Sequence, residues 1–269
     1  MTFVDTALAA RLEETQAWRA VHYAQASQIP NRAPNAAQII VAGAPVIYGG
    51  PGLPVNRAIG LGMQGAVTPE NMDEIEAFYN ARRSATVIDL CPLAHPSLLS
   101  LLQARGYSLR NWMSMLFMPL PSAPVPFNPA LHVTHATPDQ ADLWLATSAR
   151  GFDESDEIAS ETLRVLMPNF HAANAHCYFA WIGDTPVATG GMYPHQGVVE
   201  LGGASTVVAY RQQGAQTALI QQRLADAHAL GCDLAVVLTT PGSASQRNMQ
   251  RRGFQLAYTR AICERPFTP

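Results

Sequence analysis

The chain has 269 residues, of which 48% are hydrophobic, long enough for two domains of modest size and apolar enough to bury a core in each. Its 17 basic residues are scattered among 20 acidic ones, and the sequence pI is about 6.2, so the basic stripe of a nucleic-acid binder is absent. No apolar run is long enough to cross a bilayer. The start, MTFVDTALAARLEETQ, has no basic segment followed by an apolar one, so no export signal is read there.

Cys91, Cys177, Cys232 and Cys263 form no CxxC pair, which gives neither a zinc signature nor a disulfide framework. Reduced thiols in a cytoplasmic protein are the expectation. His171, His176 and His195 lack metal-ligand spacing, so no metal site is predicted.

In chain order, residues 5–27 predict a helix, and residues 37–41 and 46–48 two strands. Thr68 is placed to cap a helix with Pro69 at its first position, and Met72, Ile75 and Phe78 fall on one face of it. Residues 85–90 form a β-branched strand, HPSLLSLLQARGY a helix ending at Gly106, and residues 112–118 a strand. Prolines at 119, 121, 124, 126 and 129 then forbid continuous helix or central strand. A semi-rigid connector there divides the chain into domains 1–122 and 123–269.

The second half reads as a strand at 131–137, helices at 138–149 and 157–166, and a hairpin turning at Gly183-Asp184. A strand then runs over 198–208, with a long helix stopped by Gly231, a strand at 233–240, a helix ended by Gly253 and a closing strand at 254–263. This is an α/β (α+β) layer with a mixed sheet flanked by helices. SLLQARGYSL and NMQRRGFQLA occupy matching places in the two halves and point to an internal duplication.

The segment 198–224 carries the chemistry. A strand feeds a tight turn that opens directly into a helix, so the amides of Gln212, Gln213, Gly214, Ala215, Gln216 and Thr217 gather at the positive end of a helix dipole. Such a cradle suits a pyrophosphate, and Gly214 lets backbone approach it. There is no GxGxxG, and the element order is not that of a dinucleotide-binding fold.

Arg211, Gly214 and Gln216 resemble the [Arg/Gln]-x-x-Gly-x-[Gly/Ala] motif of the Gcn5-related N-acetyltransferases, with Gln216 in place of the small residue. Element order over residues 131–263 is similar to that family, whose second cofactor segment ends in Gly-Phe, here Gly253-Phe254. The resemblance implies an acyl-CoA N-acyltransferase fold with a mostly antiparallel sheet, duplicated in this chain. It also implies binding of acetyl-CoA (coenzyme A) and acetyl transfer to a primary amine of a small molecule by direct attack.

By the same resemblance Glu200 is the base, and the backbone of Thr206, Val207 and Val208 pairs with the pantetheine arm and donates to the thioester oxygen. The expected acid, a tyrosine, is Met249 here, so either the thiolate leaves unassisted or protonated by water, or Tyr258 or Ser245 substitutes. The family's asparagine falls at Gly242, with Asn248 one turn from Ser245 to compensate. Asp153, Glu154, Asp156 and Glu157 border the acceptor side and could attract a cationic amine, but such a run reads more readily as a solvated helix start.

In the N-terminal half the turn Met63 to Pro69 lacks the motif, and Pro69 removes an amide, so this half is expected to have lost the cofactor. The partners expected are a small-molecule amine, no nucleic acid and no membrane, with a homodimer left open. A non-catalytic acyl-CoA sensor and a protein-lysine or N-terminal acetyltransferase stay open as alternatives.

Overall fold

The computed structural model describes residues 3–28, 36–121 and 128–268. They fall into two compact units, Met1–Phe117 with Leu238–Pro269, and Met118–Val237. Most of the proline-rich connector, residues 122–127, lies outside the described residues. The division read from the prolines and the division by contacts both break beside it, but they differ over residues 238–269, which cluster with the N-terminal segment.

In the first unit, α1 (Thr6–Ala26) starts at Asp5, whose carboxylate accepts from the Leu8 amide. The hairpin β1 (Ala37–Val41) and β2 (Ala44–Tyr48) turns at Ala42-Gly43, both in the left-handed region. Then come α2 (Pro69–Asn80), β3 (Thr86–Leu90), α3 (Pro96–Ala104) and β4 (Ser108–Pro119). The core gathers Val46, Leu61, Met72, Ile75, Ile88 and Leu98. The predicted face of α2 is therefore the buried one. Of the remaining elements, α7 (Ala244–Arg251) and β10 (Gln255–Arg265) also belong here, with β10 antiparallel to both β3 and β4.

A buried charge set sits on that sheet. Arg260 is fully buried, 3.1 Å from Glu13 and 3.0 Å from Asp89, and Tyr258 donates to Glu13 at 2.8 Å.

In the second unit the strands β5 (Leu131–His135), β6 (His176–Ile182), β7 (Thr185–His195), β8 (Val198–Thr206) and β9 (Leu234–Thr239) lie in that order. All pairs are antiparallel except β8–β9. The β6–β7 turn is Gly183-Asp184, as the sequence predicts. Side chains alternate across a strand, so Tyr193 and Gly190 of β7 face opposite ways. Tyr193 reaches α5 (Ser160–His171) by donating to the Asn169 carbonyl at 3.0 Å, beside α4 (Ala141–Asp153). On the other face the Arg223 guanidinium of α6 (Ala215–Ala229) lies over Gly190, where an added Cβ would stand 3.0 Å from its Cζ.

Two predicted elements shift. The second helix of this half starts at Ser160 rather than Glu157 and runs to His171, because the Asp153 carboxylate accepts from the Ala159 amide and the Thr162 hydroxyl and so fixes the entry to α5. The strand expected to reach residue 208 ends at Thr206, and a 3-10 turn over Val208–Tyr210 comes next. The order β2–α2–β3–α3–β4 recurs as β8–α6–β9–α7–β10, which bears out the duplicated pattern. No helix among the described residues is long and apolar enough to cross a membrane.

Candidate active site

The site grows out of β8. Its ladder with β9 covers Val198, Val199 and Glu200 and goes no further, so beyond Glu200 the strand's β9 side carries no ladder. On the β7 side the register shifts between Thr189 and Gly191, where Gly202 to Ser205 span one residue more than β7 offers. Gly203 sits there with φ +58°. This is a bulge, the device that bends a strand and re-aims the residues beyond it.

Glu200 lies just before the bulge, directly across from Tyr193 on one side and Val236 on the other. Its carboxyl is buried, and cross-strand pairing puts it on the face of Tyr193, under α4 and α5.

Past Thr206 the chain turns through Gln212 and Gly214, both left-handed (φ +64° and +95°), and enters α6. An added Cβ at 214 would meet Leu131 and Asn128 only at ordinary contact distance, so it is the backbone angle that asks for glycine there. Intrahelical bonding leaves the first amides of α6 over, and its N-cap, Gly214, has no side chain to cap them. The corresponding end of α2 is different. There Thr68 and Asn71 cap each other's backbone amides and Pro69 brings none, so the N-terminal cradle is closed chemically.

Four side chains hold the cradle loop. Arg211 donates to Glu154 (2.7 Å), to the Gly151 carbonyl (3.0 Å) and to the Thr206 carbonyl (3.3 Å). Asn128 donates to the Gln213 carbonyl at 3.3 Å, and Gln213 to the Ala209 carbonyl at 3.4 Å. Gln216 donates to the Thr206 hydroxyl at 3.0 Å. Gly151 allows α4 to touch β8: a Cβ there would stand 2.6 Å from the Ser205 hydroxyl and 2.9 Å from the Thr206 amide. Arg223 is fully buried behind β7, donating to the Gly191 carbonyl at 2.9 Å, and burial pushes its guanidinium down to about 10.

Several expectations change. Val207 does not offer its amide outward, because the sheet takes it: it donates to the Val187 carbonyl at 3.0 Å. The carbonyls of Val207 and Val208 accept the amides of Tyr210 and Arg211 in the turn. The Arg211 side chain is spent on Glu154, Gly151 and Thr206. Within the acidic segment Asp153 serves α5 and Glu154 serves Arg211, so neither is simply solvated.

Ser245 and Asn248 are exposed on α7, in the other unit, while Met249 is buried there as packing. Tyr258 is buried, and its hydroxyl is committed to Glu13. Burial and the Glu13 carboxylate push the phenol far above its ordinary range, the wrong direction for a proton donor. Among the described residues no group of His, Cys, Asp and Glu is arranged for a metal ion. Sequence reasoning missed Asn128, Gly151 and the Thr206 hydroxyl, none of which carries a local motif.

Residues 141–254 match the sequence model of the acetyltransferase (GNAT) family. Among solved structures, a GCN5-related N-acetyltransferase from Kribbella flavida is 17% identical, with 96% of each chain covered and a TM-score of 0.69. A tandem GNAT protein from the clavulanic acid biosynthesis pathway is 12% identical over 92% of this chain and 88% of that one (TM-score 0.63). A conserved protein of unknown function from Staphylococcus epidermidis is 8% identical over 90% and 99% (TM-score 0.58). At these identities the structures establish a shared fold. No curated protein matches the chain.

Proposed function

We propose that the chain is an acyltransferase of the GNAT kind, transferring an acetyl group from acetyl-CoA to a primary amine of a small molecule, a reading supported by the match of residues 141–254 to the acetyltransferase (GNAT) family model. The observation that carries this reading is the join of β8 to α6. A strand whose β9 ladder stops at Glu200 runs, through a left-handed Gly214 that brings no capping side chain, into the start of α6.

The residues present fit the cofactor. Gly214 and the first amides of α6 suit its pyrophosphate, and the open side of β8 beyond Glu200 suits an extended pantetheine arm laid along it as an added strand. Bound there, acetyl-CoA supplies an activated acyl carbon on a thioester. Glu200, buried on the α4–α5 face, takes the ammonium proton so that the nitrogen lone pair is free to attack. A C–N bond forms and the C–S bond breaks. Met249 has no acidic proton and the Tyr258 hydroxyl is committed to Glu13, so the departing thiolate is protonated through water, balanced by the second proton that the acylated nitrogen gives up.

The test is thiol release from acetyl-CoA across a panel of primary amines, polyamines and lysine peptides. Replacing Glu200→Gln should lower kcat by about 10²–10⁴-fold while acetyl-CoA affinity stays within about two-fold. Equal turnover in the variant would remove Glu200 from the chemistry. Turnover only on peptides would replace the small-molecule acceptor by a protein one.

A further inference from the structure

We propose that Gln216 is a latch on the cofactor groove: in the unliganded protein its side chain bridges the start of α6 to the end of β8, and it has to let go before acetyl-CoA can seat. This rests on the acyl-CoA reading of the groove and adds a residue that restrains it.

The bridge is defined by one contact and its position. Gln216, in the first turn of α6, donates from Nε2 to the Thr206 hydroxyl at 3.0 Å, and both side chains are half-buried. Thr206 is the last residue of β8, and Gly214, two residues before Gln216, is the cap of α6. A ligand with its pyrophosphate at the helix start and its extended arm on β8 passes from one to the other. The Gln216–Thr206 bond spans that same gap.

The latch is doubled on the backbone. Arg211, at the other end of the turn, donates from Nε to the Thr206 carbonyl at 3.3 Å. Thr206 is thus held through its hydroxyl and its carbonyl by two residues of the cradle itself, and a ligand using this end of β8 must displace at least one of them. Arg211 is anchored elsewhere by Glu154 and Gly151. Among the described residues the Gln216 side chain makes no second hydrogen bond that would hold it, so it is the part that yields. A neutral hydrogen bond of this kind corresponds to about five-fold in ligand affinity.

The experiment is calorimetric titration of the full chain with acetyl-CoA, for the wild type, Gln216→Ala, Thr206→Val and the double variant. Thermal unfolding of each is recorded without ligand. A latch predicts that both single variants bind about five-fold more tightly and unfold at lower temperature. It also predicts that the double variant binds no more tightly than either single, because the two changes remove one shared bond.

Weaker binding by Gln216→Ala would overturn the proposal, since it would make Gln216 a cofactor contact. Unchanged affinity with lowered unfolding temperature would overturn it too, leaving Gln216 a purely structural residue. Absence of acetyl-CoA binding in all four proteins would sink the acyl-CoA reading itself together with the latch.

Discussion

Arg211 and Glu154 are joined at 2.7 Å, and this pair ties the cradle loop to the C-terminal end of α4. Glu154 holds a left-handed backbone angle (φ +54°) at the point where α4 stops, which turns its carboxylate toward the loop. The pair itself is solvent-exposed, so it contributes little: Glu154→Gln should cost under about 1 kcal/mol. Arg211 also reaches the Gly151 and Thr206 carbonyls with its fork, and an ammonium cannot span all three acceptors. Arg211→Lys should therefore cost about 1–3 kcal/mol in urea unfolding, clearly more than Glu154→Gln. Equal costs would show that the ion pair alone holds the loop.

Gly151→Ala tests the contact of α4 with β8. The new Cβ would stand 2.6 Å from the Ser205 hydroxyl and 2.9 Å from the Thr206 backbone amide, and backbone cannot step aside cheaply. A loss of about 1–3 kcal/mol in stability is expected, with acetyl-CoA affinity falling at least several-fold because β8 is pushed at its cofactor-facing end. A stable variant with wild-type affinity would mean that α4 does not set the position of Thr206.

The buried charges of the N-terminal unit should be indispensable to its stability. Removing Glu13 leaves the Arg260 guanidinium, itself fully buried, with one carboxylate fewer and Tyr258 without its acceptor. Glu13→Ala should cost about 3–5 kcal/mol, read as a lower midpoint in chemical unfolding. A cost below about 1 kcal/mol would show the network to be incidental.

His176 gives a pH dependence with a definite sign. Burial, and then the neighbouring His135, hold its imidazole below the ordinary value of 6.5. The folded protein thus binds that proton less readily than the unfolded chain. The stabilisation is present above about pH 6.5 and is lost as pH falls through the depressed folded value. His176→Gln should narrow the gap in unfolding temperature between about pH 7.5 and about pH 5.5. An unchanged gap would place the pH dependence on other groups.

Much of the fold is legible because the signals are local. Thr68-Pro69 announces α2, Gly183-Asp184 the hairpin, and Arg211 with Gly214 the turn into α6, each through backbone chemistry within a few residues. The choice of Glu200 rests on the family resemblance together with its place on the strand before the turn. The pairing of β10 with β3 and β4 is not legible, since strand partners far apart in sequence leave no periodic trace. The same holds for Arg211 with Glu154, Asn128 with Gln213 and Tyr258 with Glu13, which lie 57, 85 and 245 residues apart. In sequence Tyr258 reads as an available hydroxyl because a strand residue's burial is set by what packs on it, and α1 is remote in the chain. Gln216 stands out in sequence only as a departure from a small residue; its bond to Thr206, ten residues back across the turn, leaves no local signal.

The most direct test of the central claim is thermal unfolding with and without acetyl-CoA, with ATP and NAD as controls, for the wild type and Gly214→Val. Acetyl-CoA at about a hundred times its dissociation constant should stabilise the wild type by roughly 2.7 kcal/mol, a rise of several degrees. ATP and NAD should do far less. The shift should vanish in the variant, whose β-branched side chain is strained at φ +95° and lines the cradle. No shift with millimolar acetyl-CoA, or an equal one in Gly214→Val, would contradict the assignment of this turn as the cofactor cradle.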